Sequence, residues 1–130
     1  MNDINVKDIE KLDCEARYEI FLSMVAEERD IWLLINDDME FLKIHSEEHD
    51  IEYLPIWPHA DFTKTHRNGS DGNLSPKCIS VPEFFAKWVP GLERDSLKIG
   101  VFPNSGADVW IMEPSEVKND LQDEFSNIGL

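Results

Sequence analysis

The chain has 130 residues, 42% of them hydrophobic, and carries 27 acidic against 12 basic side chains for a formal net charge of -15. That length gives one domain, residues 1–130, able to bury roughly two-thirds of its unfolded surface. The charge excludes nucleic acid as a partner, because a polyanion is held through Lys and Arg that displace its counterions. The longest unbroken apolar stretch, Ile31 to Ile35, is far short of the ~20 residues of a membrane helix, so no membrane association is expected.

The first elements are a flexible segment over residues 1–12 and then a helix from Cys14 to Glu28. Ala16, Ile20, Phe21, Met24 and Val25 fall at helical spacing, and Asp13 stands ready as the N-cap. Ile31 to Ile35 is apolar at every position, and Met39 to Ile44 is apolar except at Glu40 and Lys43. Joined through Asp37 and Asp38, the two predict a hairpin with a central first strand.

Ile51 to Trp57 reads as a third strand, placed at a sheet edge or given a bulge because Pro55 has no N–H for a ladder. A short helix through Phe62 follows Pro58. The Gly/Ser/Asn-rich stretch RNGSDGNLSP, residues 67–76, is expected to be a mobile loop.

A strand at Lys77 to Ile79 leads into Ser80-Val81-Pro82-Glu83, a capping box with proline in the first turn. The helix it opens, EFFAKWV, is expected to stop at Pro90-Gly91, with Phe84, Phe85 and Trp88 on a core-facing stripe. Leu97 to Phe102 and Val109 to Met112 form a second hairpin. Pro114-Ser115-Glu116 starts a last helix with Val117, Leu121 and Phe125 on its apolar side. The fold class is therefore α+β: a single domain with a mixed, largely antiparallel sheet and helices packed on it.

Among residues that could carry chemistry, Trp57 stands out because Pro55 and Pro58 frame it and His59 and Asp61 follow. Each proline fixes its own φ and pushes the residue before it towards an extended conformation, so the Trp57 backbone is held before tertiary contacts form. Two readings follow. Trp57 is a core wedge with His59 as its turn-forming neighbour, or Trp57, His59 and Trp88 line a pocket for a ligand or partner.

His45-Ser46-Glu47-Glu48-His49 spells H-x-x-E-H, in which two histidines a helical turn apart bind zinc and the glutamate acts as base. This stretch links two strands, so solvated histidines without zinc are expected. Neither Ser70 nor Ser105 sits in a G-x-S-x-G elbow, and no glycine-rich phosphate loop is present, so no cofactor is expected. Cys14 and Cys78 lie far apart with no C-x-x-C spacing, which indicates reduced thiols of a cytoplasmic protein.

Taken together, LPIWPH at 54–59, EFFAKWVPGL at 83–92, GVFPN at 100–104 and VWIMEPSEV at 109–117 resemble the bacterial domain-of-unknown-function family 2750. The likeness runs from about Arg17 to the last helix. It implies a small bacterial single-domain protein and assigns no catalytic residue. The reading that combines all of this is a non-enzymatic interaction or regulatory module, monomeric or homodimeric, that binds a protein or a small ligand. Its alternatives are an immunity-type protein that neutralises a basic toxin through charge complementarity and a small enzyme using His59 and Asp61.

Overall fold

The computed structural model describes residues 8–9, 11–47, 50–63, 74–103 and 109–127. Helix α1 (Cys14–Glu28) occupies the span that its spacing predicts, and Asp13 Oδ1 accepts the N–H of Ala16 at 2.8 Å. At its other end Arg29 takes the left-handed conformation, φ 64°, and returns its N–H to the Val25 carbonyl. Tyr18, Phe21, Met24 and Val25 turn into the core.

Strand β1 (Asp30–Ile35) runs antiparallel to β4 (Ser75–Ser80) along its whole length, with Asp30 opposite Ser80 and Ile35 opposite Ser75. The opposite edge of β1 carries the start of the expected hairpin between residues 31–35 and 39–44, and its second arm is shorter than expected because Ile44 pairs instead with Tyr53. That hairpin has one bridge, Ile35 to Phe41, with the Leu42 N–H donated to the Leu34 carbonyl and the Asn36 N–H to the Glu40 carbonyl. Asn36 closes the turn: its Oδ1 accepts the N–H groups of both Asp38 and Glu40 at 2.9 Å, and Met39 is turned to φ 66°. Strand β4 also takes in Ser75 and Pro76, which the sequence assigns to the mobile loop; residues 67–73 of that loop lie outside the described residues.

The second sheet has the order β2-β3-β5-β6. Strand β2 (Ile44–Ser46) pairs antiparallel with β3 (Ile51–Ile56), β3 pairs parallel with β5 (Lys98–Val101), and β5 pairs antiparallel with β6 (Trp110–Met112). Strand β3 thus has neighbours on both sides, against the expectation of an edge.

The proline is accommodated by a gap. Trp57 exchanges both backbone hydrogen bonds with Trp32, at 2.8 and 2.9 Å, so its N–H and C=O face β1, and by alternation those of Pro55 face the same way. On that side β2 ends opposite Tyr53, and β1 arrives only at Trp57. The missing N–H of Pro55 falls between the two partners, and the Trp32 to Trp57 bridge ties the sheets together. On the other flank of β3, Gly100 is required: a Cβ there would lie 2.3 Å from Tyr53 Cδ2, so the Tyr53 ring can cross β5 only over a glycine.

Helix α2 spans residues 81–94. Ser80 caps it as expected, its Oγ accepting the Glu83 N–H at 3.3 Å. The helix does not stop at Pro90-Gly91 but runs on as Val89–Arg94. Within an α-helix Pro90 lacks the N–H for the Ala86 carbonyl, and its ring presses on that carbonyl. The chain responds with a π turn over Phe84–Trp88, in which the Val89 N–H reaches back to the Phe84 carbonyl.

Helix α3 (Pro114–Asn127) buries Val117 and Leu121 and packs on α1, β5 and the end of α2. The result is the expected α+β domain, its strands largely antiparallel but divided between two sheets. One core cluster joins them, with Phe21, Leu34, Leu54, Phe84, Ile99 and Leu121 among its members.

Candidate functional site

The one parallel strand pair among the described residues, β3 and β5, sends its carboxyl ends to the same place, and two motifs meet there. Trp57 is completely buried, and its Nε1–H donates to the Pro103 carbonyl at 3.1 Å. Phe102, just before, is a buried aromatic residue at φ 53°, a strained conformation for a bulky side chain. Three restraints hold it: its N–H donates to the Ile56 carbonyl at 2.8 Å, its carbonyl accepts Arg17 Nε–H at 3.0 Å, and its ring lies 4.6 Å from that of Phe62. The framing of Trp57 by two prolines therefore aims the indole at the backbone leaving β5.

Arg17 is the participant that the sequence reading missed. It is 1% exposed, and besides Phe102 it donates to the Leu12 carbonyl and, at 3.3 Å, to Cys14 Sγ. Its signal was faint: an arginine inside the apolar stripe of an otherwise acidic helix.

His59 heads the short 3-10 turn Ala60–Thr63. Its carbonyl accepts the Phe62 N–H at 3.2 Å, and its Nδ1 accepts the Asp61 N–H at 3.1 Å. Asp61 Oδ2 lies 3.6 Å from the same Nδ1, and the Trp32 ring is 6.4 Å away. With Nδ1 facing a backbone donor, the neutral imidazole carries its proton on Nε2. A histidine–carboxylate base needs the opposite arrangement, with Nδ1–H donated to the acid and the Nε2 lone pair free.

Trp88 stands elsewhere. Half-buried, it meets Phe41 edge-on at 5.2 Å, and with Phe41, Lys87, Gly91 and Leu92 it lines a concavity of about 230 Å³ whose walls include neither Trp57 nor His59.

The H-x-x-E-H stretch begins in β2, where His45 pairs with Glu52, so its first histidine is on an extended strand and not on a helical turn. His45 Nε2 lies 3.6 Å from Asp50 Oδ1 on the surface; Glu48 and His49 fall outside the described residues. Among the described residues no group of three or more His, Cys, Asp or Glu side chains is placed to hold a metal ion, and no helix is long and apolar enough to cross a membrane.

A larger concavity, about 370 Å³, opens where the end of α1 meets the start of α2 and the end of α3, with Arg29, Val81, Pro82, Phe85 and Phe125 as its walls. The Phe85 and Phe125 rings meet edge-to-face at 6.5 Å, and Lys118 Nζ stands 5.9 Å from the centre of the Phe85 ring. Phe85 and Phe125 were read as core, and Arg29 and Lys118 carry no motif. Only the fold brings Arg29, Phe85 and Phe125 to one hollow and sets Lys118 over the Phe85 ring.

Fold and site define a small α+β domain built round a locked aromatic junction, with apolar hollows on its helical side. The chain belongs to the family described as protein of unknown function (DUF2750), whose model matches residues 18–121. None of the curated proteins matches it.

Proposed function

We propose that the protein is a non-enzymatic binding module whose ligand site is the concavity between Arg29, Val81, Pro82, Phe85 and Phe125. The observation that carries this reading is the size and lining of that hollow: about 370 Å³ lies within the roughly 300–1,000 Å³ of small-molecule sites, and its walls are aromatic and aliphatic with one charged side chain. The hollow beside Trp88, at about 230 Å³, falls below that range and fits a single side chain of a protein partner better. In this reading Trp88 is the residue of the sequence-selected three that touches a partner, while Trp57 and His59 hold the scaffold. The tautomer of His59 argues against the enzymatic alternative. The net charge of -15 argues against nucleic acid, and the free thiols of Cys14 and Cys78 suit a bacterial cytoplasm.

The test is an amide-resolved NMR titration with 2-naphthamide, a neutral aromatic probe. Shifts confined to the amides around Val81, Phe85 and Phe125, and absent in Phe85→Ser, are expected. A uniformly unresponsive spectrum at millimolar probe removes this hollow as the ligand site.

A further inference from the structure

We infer that this site selects a small aromatic carboxylate, gripped by Arg29 and Lys118 at its mouth; the inference rests on the reading of the hollow as a ligand site. The chain has 12 bases against 27 acids, yet one base lines this apolar hollow and another stands over a ring that forms its wall. Arg29 is a wall of it, and Lys118 holds its ammonium over the ring of Phe85, which is another. Among the described residues neither is in an ion pair, whereas Arg94 pairs with Asp95 and Lys98 with Glu113.

Backbone geometry sharpens the case for Arg29. The residue closing a helix in the left-handed region is most often glycine, sometimes asparagine, because a Cβ is disfavoured there. At φ 64° this chain places an arginine, and its backbone is pinned by its own N–H to Val25 and by its carbonyl, which accepts the Val81 N–H at 3.1 Å. The backbone gains nothing from the arginine side chain at such a position, and the residue, exposed, is a wall of the hollow. Nearby Asp30 is otherwise engaged, its carboxylate facing the Cys78 thiol.

The aromatic half of the ligand follows from the walls. Two phenyl rings at 6.5 Å, edge to face, and a proline ring offer surfaces on which a planar ring packs by offset stacking. The net charge of the whole protein does not by itself oppose an anion at this hollow. At ~150 mM salt, charges more than about 8 Å from the ligand are largely screened.

The closing experiment compares 2-naphthoate with its neutral isostere 2-naphthamide at ~150 mM salt, by the same amide shifts, in the wild type and in Arg29→Gln/Lys118→Gln. Two exposed ion pairs together favour the carboxylate about tenfold. The expected result is that preference in the wild type and its disappearance in the double variant, read as the ratio of the two affinities within each protein. Equal binding of the two probes by the wild type, or a preference that survives in the variant, overturns the inference while leaving the hollow a ligand site. Silence towards both probes overturns the hollow itself and the inference with it.

Discussion

Replacing Trp57 by Phe tests the junction at the carboxyl ends of β3 and β5. Two losses add. The first is the Nε1–H donated to the Pro103 carbonyl, both residues being buried, and a buried acceptor left without its donor costs about 1–3 kcal/mol. The second is packing: phenyl has roughly three fewer ring atoms than indole, and at ~0.8 kcal/mol for each buried methylene equivalent this adds about 2 kcal/mol at a fully buried site. The expected destabilisation is therefore about 3–5 kcal/mol, a large part of the ~5–15 kcal/mol that holds a domain of this size together. Urea unfolding followed by far-ultraviolet circular dichroism measures it without relying on the fluorescence that the substitution alters. Trp88→Phe is the control: half-buried at the rim of a hollow, it should cost under about 1 kcal/mol. A loss below ~1 kcal/mol for Trp57→Phe would refute the assignment of Trp57 as the lock on Phe102 and Pro103.

Tyr18 and Cys78 supply predictions that turn on pH. Burial first, then the hydrogen bond at 2.5 Å to Asp120 Oδ2 and the charges of Asp120 and Glu116, hold the Tyr18 phenol protonated far above its ordinary range. A raised folded value stabilises the fold fully below the unfolded phenol pKa of about 10 and loses that stabilisation as pH rises beyond it, by about 1.4 kcal/mol per pH unit. The stability difference between wild type and Tyr18→Phe should therefore shrink between about pH 10 and 11.5; a difference constant across that interval contradicts the assignment. Burial, with Asp30 beside it, pushes the Cys78 thiol up to about 11. At pH 8 its thiolate fraction is then about one in a thousand, against about a quarter for an ordinary thiol near 8.5. Mass-spectrometric mapping after iodoacetamide should find Cys78 unlabelled in the native protein until the pH is raised or the chain unfolded, and labelling at the rate of a free thiol would show that the site is open.

Helix α1, with its cap at Asp13, and the Ser80 cap of α2 were legible because their signals are local: a spacing of three and four, and one side chain reaching a backbone N–H. The second hairpin was legible for the same reason. What failed was non-local. Nothing in residues 31–46 says that one edge of β1 is taken by β4, some forty positions away, or that the local hairpin on its other edge ends early because Ile44 pairs with Tyr53. Pro55 pointed to an edge by a sound rule, yet the rule concerns one hydrogen-bonding side at one residue, and a central strand meets it wherever its partners on that side leave a gap. At the site, the sequence could single out Trp57 by its prolines. It could not show that the indole serves the backbone of Pro103, or that Arg29, Phe85 and Phe125, far apart in the chain, line one hollow.

Pro90 links these failures to the surface that the protein presents. In an α-helix, residues three apart stand about 60° from one another, so Phe85 and Trp88 would share a face and pack as one stripe, as their spacing predicts. A π turn holds more residues, which reduces the rotation between neighbours and opens that angle. Phe84 remains wholly buried at the start of the turn, while Phe85 swings towards Phe125 and Arg29 and Trp88 towards Phe41 and Leu92. Each of the two hollows owes an aromatic wall to this divergence. A proline two residues beyond Trp88, read from the sequence as a stop, instead distributes three aromatic side chains between the core and two separate concave surfaces.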